Sequence, residues 1–255
     1  MIPASEFKVE KLTVKIFDNR QQMGQAAARD VAQQMKNMIG EKGEINMIFA
    51  AAASQLDFFE SLKRLPGIRW QSVTAFQMDE YIGLPSDSSL RLSQFLTQKL
   101  MSAVDFKKTY FLNGNAENLQ AECQRYGDLL RAHPVDITCM GIGESGHIAF
   151  NDPAYADFND PHLVKIVEPD EISRHQQVRD GYFSALAEMP IQAFTLTIPA
   201  LMSAKWISCV VPGKHKARAV KAALKNKISA ECPATILRTH DNAVLFLDRE
   251  SARLL

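Results

Sequence analysis

The chain has 255 residues, 46% of them apolar, which is material for one sizeable core and lies at the upper end of single-domain length. Lysine plus arginine and aspartate plus glutamate each number 29, so the formal net charge is zero and excludes a global field that would hold nucleic acid or an anionic membrane. The apolar runs fall far short of the roughly 20 residues that span a bilayer, and residues 1–10 lack the charged and apolar regions of a signal peptide.

Small molecules and copies of the chain itself are therefore the expected partners. Cys123, Cys139, Cys209 and Cys232 form no CxxC pair and stand near no matching histidine spacing, which speaks against zinc and against a disulfide framework. Idle thiols fit a reducing cytoplasm, the expected location.

In chain order, Asp18 or Asn19 can cap a helix whose apolar positions Met23, Ala27, Val31, Met35 and Met38 recur at three- and four-residue steps, with Gly40 suited to its end. A strand is predicted over 45–50, a helix over 55–65, a strand over 73–78, a helix over 93–101 and a strand over 110–112. Asn115 then reads as the cap of a helix marked by Leu119, Cys123, Tyr126 and Leu130, followed by a strand over 135–140. Further strands are predicted over 164–167, 195–198, 207–211 and 244–247, with a helix over 215–224. No repeat or linker divides the sequence, so residues 1–255 read as one domain. Alternation of this kind implies a three-layer α/β architecture, a mostly parallel sheet flanked by helices, whose ligands bind outside the carboxyl ends of the strands.

Directly after the strand ending at Met140 comes Gly141-Ile142-Gly143-Glu144-Ser145-Gly146, a formal match to the dinucleotide pattern GxGxxG. A dinucleotide site requires a helix that starts in this loop and runs on, but Asn151-Asp152-Pro153 reads as a turn only a few residues later. The cluster also lies past the middle of the chain. A tight glycine turn with no ligand is the plainer alternative.

Residues 141–153, GIGESGHIAFNDP, are similar to the signature GxGxDGHIAFNEP of the glucosamine-6-phosphate deaminase and isomerase family, and residues 78–85, MDEYIGLP, look like that family's MDEYVGLP. Weaker echoes at residues 195–204 and at Gly213-Lys214-His215-Lys216-Ala217 carry the resemblance over most of the chain. The sister 6-phosphogluconolactonases share the fold but carry a GxDGHTASLFP version, and here His147 is followed by Ile148-Ala149-Phe150-Asn151. Sugar-binding transcriptional regulators of related fold need a DNA-binding module, for which no N-terminal segment is spare.

The resemblance implies a sugar-isomerase fold and deamination of glucosamine or galactosamine 6-phosphate to a ketose 6-phosphate plus ammonia, without metal or organic cofactor. The alternatives are a 6-phosphogluconolactonase-type hydrolase and a sugar-phosphate-binding protein that has lost catalysis. Asp79 is implied as the base that carries a proton from C2 to C1, a role suited to a carboxylate whose pKa burial has raised. Read without the motif, it is a cap or turn residue past a strand; Glu80 is expected as an exposed or pairing carboxylate and Tyr81 as a rim residue. His147 is implied as the acid and base of ring opening, against the plainer reading of a packed or surface histidine.

The family supports this histidine with an aspartate two positions before it and a glutamate five positions after, which here are Ser145 and Asp152. Asp152 keeps the charge on a shorter side chain that reaches through backbone adjustment or a bridging water. Ser145 can orient an imidazole but stabilises its cation far less than a carboxylate does, and losing such a partner can cost orders of magnitude in rate. The family's phosphate loop GLPTGxTP is replaced by Ala50-Ala51-Ala52-Ala53-Ser54-Gln55, where the Ser54 hydroxyl and a helix start still donate. Gly146 of the glycine turn, Lys216 and Arg179 complete the implied substrate and phosphate set. Lys216 alone would read equally well as a solvated lysine at a helix start, and the segment around Arg179 aligns poorly. Closed homo-oligomers are the default for such enzymes.

Overall fold

A computed structural model describes residues 2–179 and 181–255. The chain opens with an antiparallel pair, β1 (Ser5–Val9) and β2 (Leu12–Phe17), before Asn19 caps helix α1 (Arg20–Lys42) by accepting from the Gln22 backbone N–H. Met23, Ala27, Val31 and Met35 form the buried stripe of α1, as their spacing requires. The helix ends at Gly43 rather than Gly40, because the left-handed turn that closes it, Gly43 N–H to Ile39 O, comes three residues later.

There follow β3 (Ile45–Phe49), α2 (Leu56–Leu62), β4 (Val73–Gln77), β5 (Asp79–Tyr81), α3 (Leu92–Lys99), β6 (Lys108–Tyr110), α4 (Leu119–Ala132) and β7 (Ile137–Met140). The second half adds β8 (Val164–Val167), α5 (Glu171–Arg179), β9 (Ala193–Leu196), α6 (Ile198–Met202), β10 (Trp206–Val211), α7 (Ala217–Lys225) and β11 (Ala243–Asp248). Asn118, not Asn115, caps α4; Asn115 instead donates to Leu84 O and secures the preceding loop.

Eight strands form the main sheet in the order β1-β2-β11-β10-β7-β3-β4-β6, parallel throughout except for the β1–β2 pair. Its inner strands are covered on both faces, and every residue of β4, β7 and β11 is buried, with no alternation of exposure along them. Met23, Val31, Phe58, Phe59 and Leu96 from α1, α2 and α3 fill one core, and Tyr126, Leu130, Leu201, Val220 and Leu224 from α4, α6 and α7 fill the other. These two helical layers and the sheet make the three layers.

A feature absent from the sequence reading is a second, antiparallel sheet, β5-β9-β8, in which Asp79 faces Thr195 and Thr195 faces Lys165. Only Met78 separates β4 from β5, so the chain passes directly from the carboxyl end of a main-sheet strand into the smaller sheet. Among the described residues no helix is long and apolar enough to cross a membrane.

Candidate active site

Strands β3, β4, β7 and β10 end at one edge of the main sheet, and a cleft lies just beyond them. It encloses about 540 Å³ of space, mouth included, between Ala50–Ala52 and Ser54 after β3, Asp79 after β4, Gly141–Gly143 after β7 and Lys216 after β10. His147, Phe150, Gln176 and Gln177 close it.

Asp79 opens β5 and is only 8% exposed; its Oδ1 has no hydrogen-bond partner. Loss of water around it, reinforced by the neighbouring Glu80 charge, pushes the carboxyl from 3.8 up to about 8. Strand alternation sends Glu80 the other way. Of the two expectations for Glu80, exposed or pairing, the exposed one fails: the carboxylate is fully buried, stands 3.9 Å from Arg91 Nε, and accepts from the backbone N–H groups of Tyr81, Leu92 and Ser93 and from Gln77 Nε2. Tyr81 likewise is no rim residue: it is fully buried, with its ring against Phe150 and Phe183. Both faces of the three-residue strand are covered, which the motif alone does not reveal.

The glycine loop serves the histidine. A Cβ on Gly143 would lie 1.9 Å from His147 Nε2, and Gly146 takes φ +83° where a Cβ would lie 2.6 Å from Cys232 Sγ. No helix grows from the loop; Ile148 bridges Asn151, whose amide donates to Ile148 O and Leu196 O, while Phe150 N–H bonds Thr195 Oγ1. The loop is thereby tied to β9. This local geometry lacks the helix N-terminus on which a pyrophosphate would rest.

His147 Nδ1 lies 2.8 Å from Asp152 Oδ1, 2.8 Å from Ser145 Oγ and 2.8 Å from Ser173 Oγ. The shorter Asp152 carboxylate therefore reaches the ring directly, with no bridging water required. Its Oδ2 accepts from Asp170 N–H at 3.0 Å. Burial alone would raise the Asp152 pKa, but the His147 hydrogen bond and charge, the Ser173 hydroxyl and the Asp170 amide together hold it below the ordinary value. An ionised Asp152 can only accept, so the network assigns the Nδ1 proton to the Asp152 bond, and Nε2 is the nitrogen left to exchange a proton in the cleft.

At the opposite side of the cleft, Lys216 is 4% exposed in the turn that follows Gly213, whose N–H is held by the Asp248 carboxylate. Ser54 Oγ accepts from Gln55 Nε2 at 3.1 Å, and the same amide reaches Met140 O and Val210 O, tying the alanine-rich loop to the ends of β7 and β10. Gln55 is fully buried.

Of the residues singled out in the sequence, Asp79, His147, Ser54 and Lys216 line one cleft, and Ser145 and Asp152 stand behind the imidazole. Gly146 shapes the loop without lining the cleft. Arg179 pairs with Glu144 on the outer side and does not line it either. Sequence reasoning missed Ser173, Gln176 and Gln177. The signal was present: Asp170, Ser173 and Gln176 recur at three-residue steps, a polar face of α5, with Asp170 capping Ser173 N–H at 2.7 Å. Among the described residues no cluster of three or more histidine, cysteine, aspartate or glutamate side chains is placed to hold a metal ion.

A family model described as glucosamine-6-phosphate isomerases/6-phosphogluconolactonase matches residues 18–246. The glucosamine-6-phosphate deaminase of Bacillus cytotoxicus is 31% identical over 243 residues, covering 95% of this chain and 89% of that protein. The Bacillus cereus enzyme of the same name is 35% identical over 220 residues, covering 86% and 82%. Among solved structures, a monomeric glucosamine-6-phosphate deaminase superposes with a TM-score of 0.87 at 31% identity, over 95% of this chain and 99% of the other. The 6-phosphogluconolactonase of Thermotoga maritima superposes with a TM-score of 0.76 at 19% identity, over 93% and 100%, a likeness of fold alone.

Proposed function

The chain belongs to the glucosamine-6-phosphate isomerase/6-phosphogluconolactonase family, and on that premise we propose that it deaminates an amino-sugar 6-phosphate, of gluco or galacto configuration, to a ketose 6-phosphate and ammonia. The observation that carries this choice within the family is Asp79: a buried carboxyl with an unpartnered oxygen, raised to about 8, in the same cleft as His147. Lactone hydrolysis needs a base for water and has no use for a second base placed to move a carbon-bound proton.

His147 Nε2 takes the proton of the C1 hydroxyl and returns one to the ring oxygen, opening the sugar. Ionised Asp79 takes the C2 proton as the C1 aldehyde oxygen gains one, leaving an enolamine, and then delivers its proton to C1 as the nitrogen gives one up, so that the two further protons balance. Water then adds to the resulting C2 imine and ammonia leaves, so that one water is consumed for each ammonia released. Lys216 supplies positive charge and Ser54 a hydroxyl donor for the phosphate. A binding protein without turnover is the second reading, favoured by Ser145 in place of the family's carboxylate; the direct Asp152–His147 bond weighs against it.

The test is Asp79→Asn. Deamination is expected to fall by about 10²- to 10⁴-fold, the range for loss of a positioned general base. Hydrolysis of 6-phosphogluconolactone by the wild type, abolished neither by this substitution nor accompanied by ammonia release from amino sugars, would reverse the assignment.

A further inference from the structure

We infer that Ser173, which reaches the site from α5 and has no counterpart in the glycine loop, is the positioning residue that fixes the tautomer and plane of His147. This role rests on the function proposed above. Ser173 is fully buried, and its Oγ lies 2.8 Å from His147 Nδ1 and 2.5 Å from Asp152 Oδ1.

The hydrogens around this point can be counted. Nδ1 carries at most one, and Asp152, ionised and already accepting from Asp170 N–H, offers none. The Nδ1 hydrogen therefore goes to Asp152 Oδ1, and both serine hydroxyls turn their hydrogens to that same oxygen. They do so unequally: Ser173 reaches it at 2.5 Å, within the range of a charge-assisted O–H···O⁻ bond, whereas Ser145 stands 3.3 Å away. Ser173 is thus the tighter clamp on the carboxylate that holds the ring. The residue with the family's expected position, Ser145, is the looser one.

Ser145, His147 and Asp152 share a single loop, but Ser173 comes from a different element. Its helix also offers Gln176, whose Oε1 accepts Glu144 N–H, and Gln177, and both glutamines line the cleft. The Asp170 amide, the Ser173 hydroxyl and the Gln176 amide lie at three-residue steps, the first two donating to the two Asp152 carboxylate oxygens at one end of the 144–152 loop and the third accepting Glu144 N–H at the other. The wall of the substrate cleft and the orientation of its histidine are therefore set by one helix face. Without the Ser173 hydroxyl, Asp152 Oδ1 loses its nearest hydroxyl donor, and the carboxylate that enforces the Nδ1-protonated form is held less firmly against the ring.

The experiment uses full-length protein with ¹⁵N-labelled histidine, the His147 signals identified by their loss in His147→Asn. The wild type is expected to show a single tautomer protonated at Nδ1, Ser173→Ala a mixture, and Ser173→Thr, which keeps the hydroxyl, the wild-type pattern. In turnover of glucosamine 6-phosphate, Ser173→Ala is expected to lower kcat roughly tenfold or more with KM held within about threefold, and Ser173→Thr to restore it. Wild-type ring signals and wild-type kcat in Ser173→Ala would overturn the role of Ser173 while leaving the deaminase assignment standing. If no amino-sugar phosphate is turned over, the ring signals still decide: a changed tautomer in Ser173→Ala supports the inference and an unchanged one overturns it.

Discussion

Asp79 and Asp152 are buried carboxyls of one site whose surroundings drive them in opposite directions, burial and Glu80 raising the first, His147, Ser173 and the Asp170 amide lowering the second against burial. Divergence of this kind is what separates a proton-transferring group from a fixed charge. For Asp79 the folded value of about 8 stands above the unfolded 3.8, so its favourable contribution is complete below about 4 and is lost as pH rises to about 8. Asp79→Asn is accordingly expected to melt higher than the wild type at pH 8 to 9, with the gap closing towards pH 4; a gap independent of pH would contradict the assignment. The same ionisation must precede catalysis, so kcat/KM is expected to rise with pH along a limb near 8. Asp152, lowered instead, contributes stability above its ordinary value of 3.8 that disappears as pH falls through the folded value. As the charged partner of His147 it should matter most to rate: Asp152→Asn is expected to cost kcat about 10³- to 10⁴-fold, and Ser145→Ala less than about tenfold, in steady-state assays.

At the scale of elements, helix α3 begins without a capping side chain of its own, and Glu80 supplies the acceptors from a strand thirteen residues earlier in the chain. One buried carboxylate thus fixes the strand that carries Asp79 and the start of the helix that closes the cleft at Leu92. Glu80→Ala is expected to destabilise the fold by about 3 kcal/mol, read from the urea midpoint, because it strands several buried donors at once. Helix α1 was legible in the sequence because its apolar positions repeat and its cap is local. The three-stranded sheet was not: β5 has three residues, and its partners β8 and β9 lie far along the chain, so neither length nor periodicity announces a pairing such as Asp79 with Thr195. Strand β1 also gave no signal, since four of its five residues are exposed.

For the molecule as a whole, alternation of helix and strand was sufficient to predict a parallel three-layer architecture with its ligand cleft at the carboxyl ends of the strands. Asp79, His147, Ser54 and Lys216 could be selected from motifs, and they line one cleft. What the sequence hid was tertiary: Ser173 becomes meaningful only when α5 is laid against a loop more than twenty residues earlier, and Gln55 only when the ends of β7 and β10 lie over it. The replacement of a carboxylate by Ser145, taken alone, suggested weakened chemistry, yet the folded site holds an ionised Asp152 directly against the imidazole. The most direct test is therefore turnover by the unaltered protein: ammonia release from glucosamine 6-phosphate and galactosamine 6-phosphate, coupled to detection of the ketose phosphate, with 6-phosphogluconolactone hydrolysis run beside them. Ammonia and ketose phosphate in equal amounts from at least one amino sugar is the expected result. Binding of the amino-sugar phosphates without turnover, or hydrolysis of the lactone alone, would contradict it.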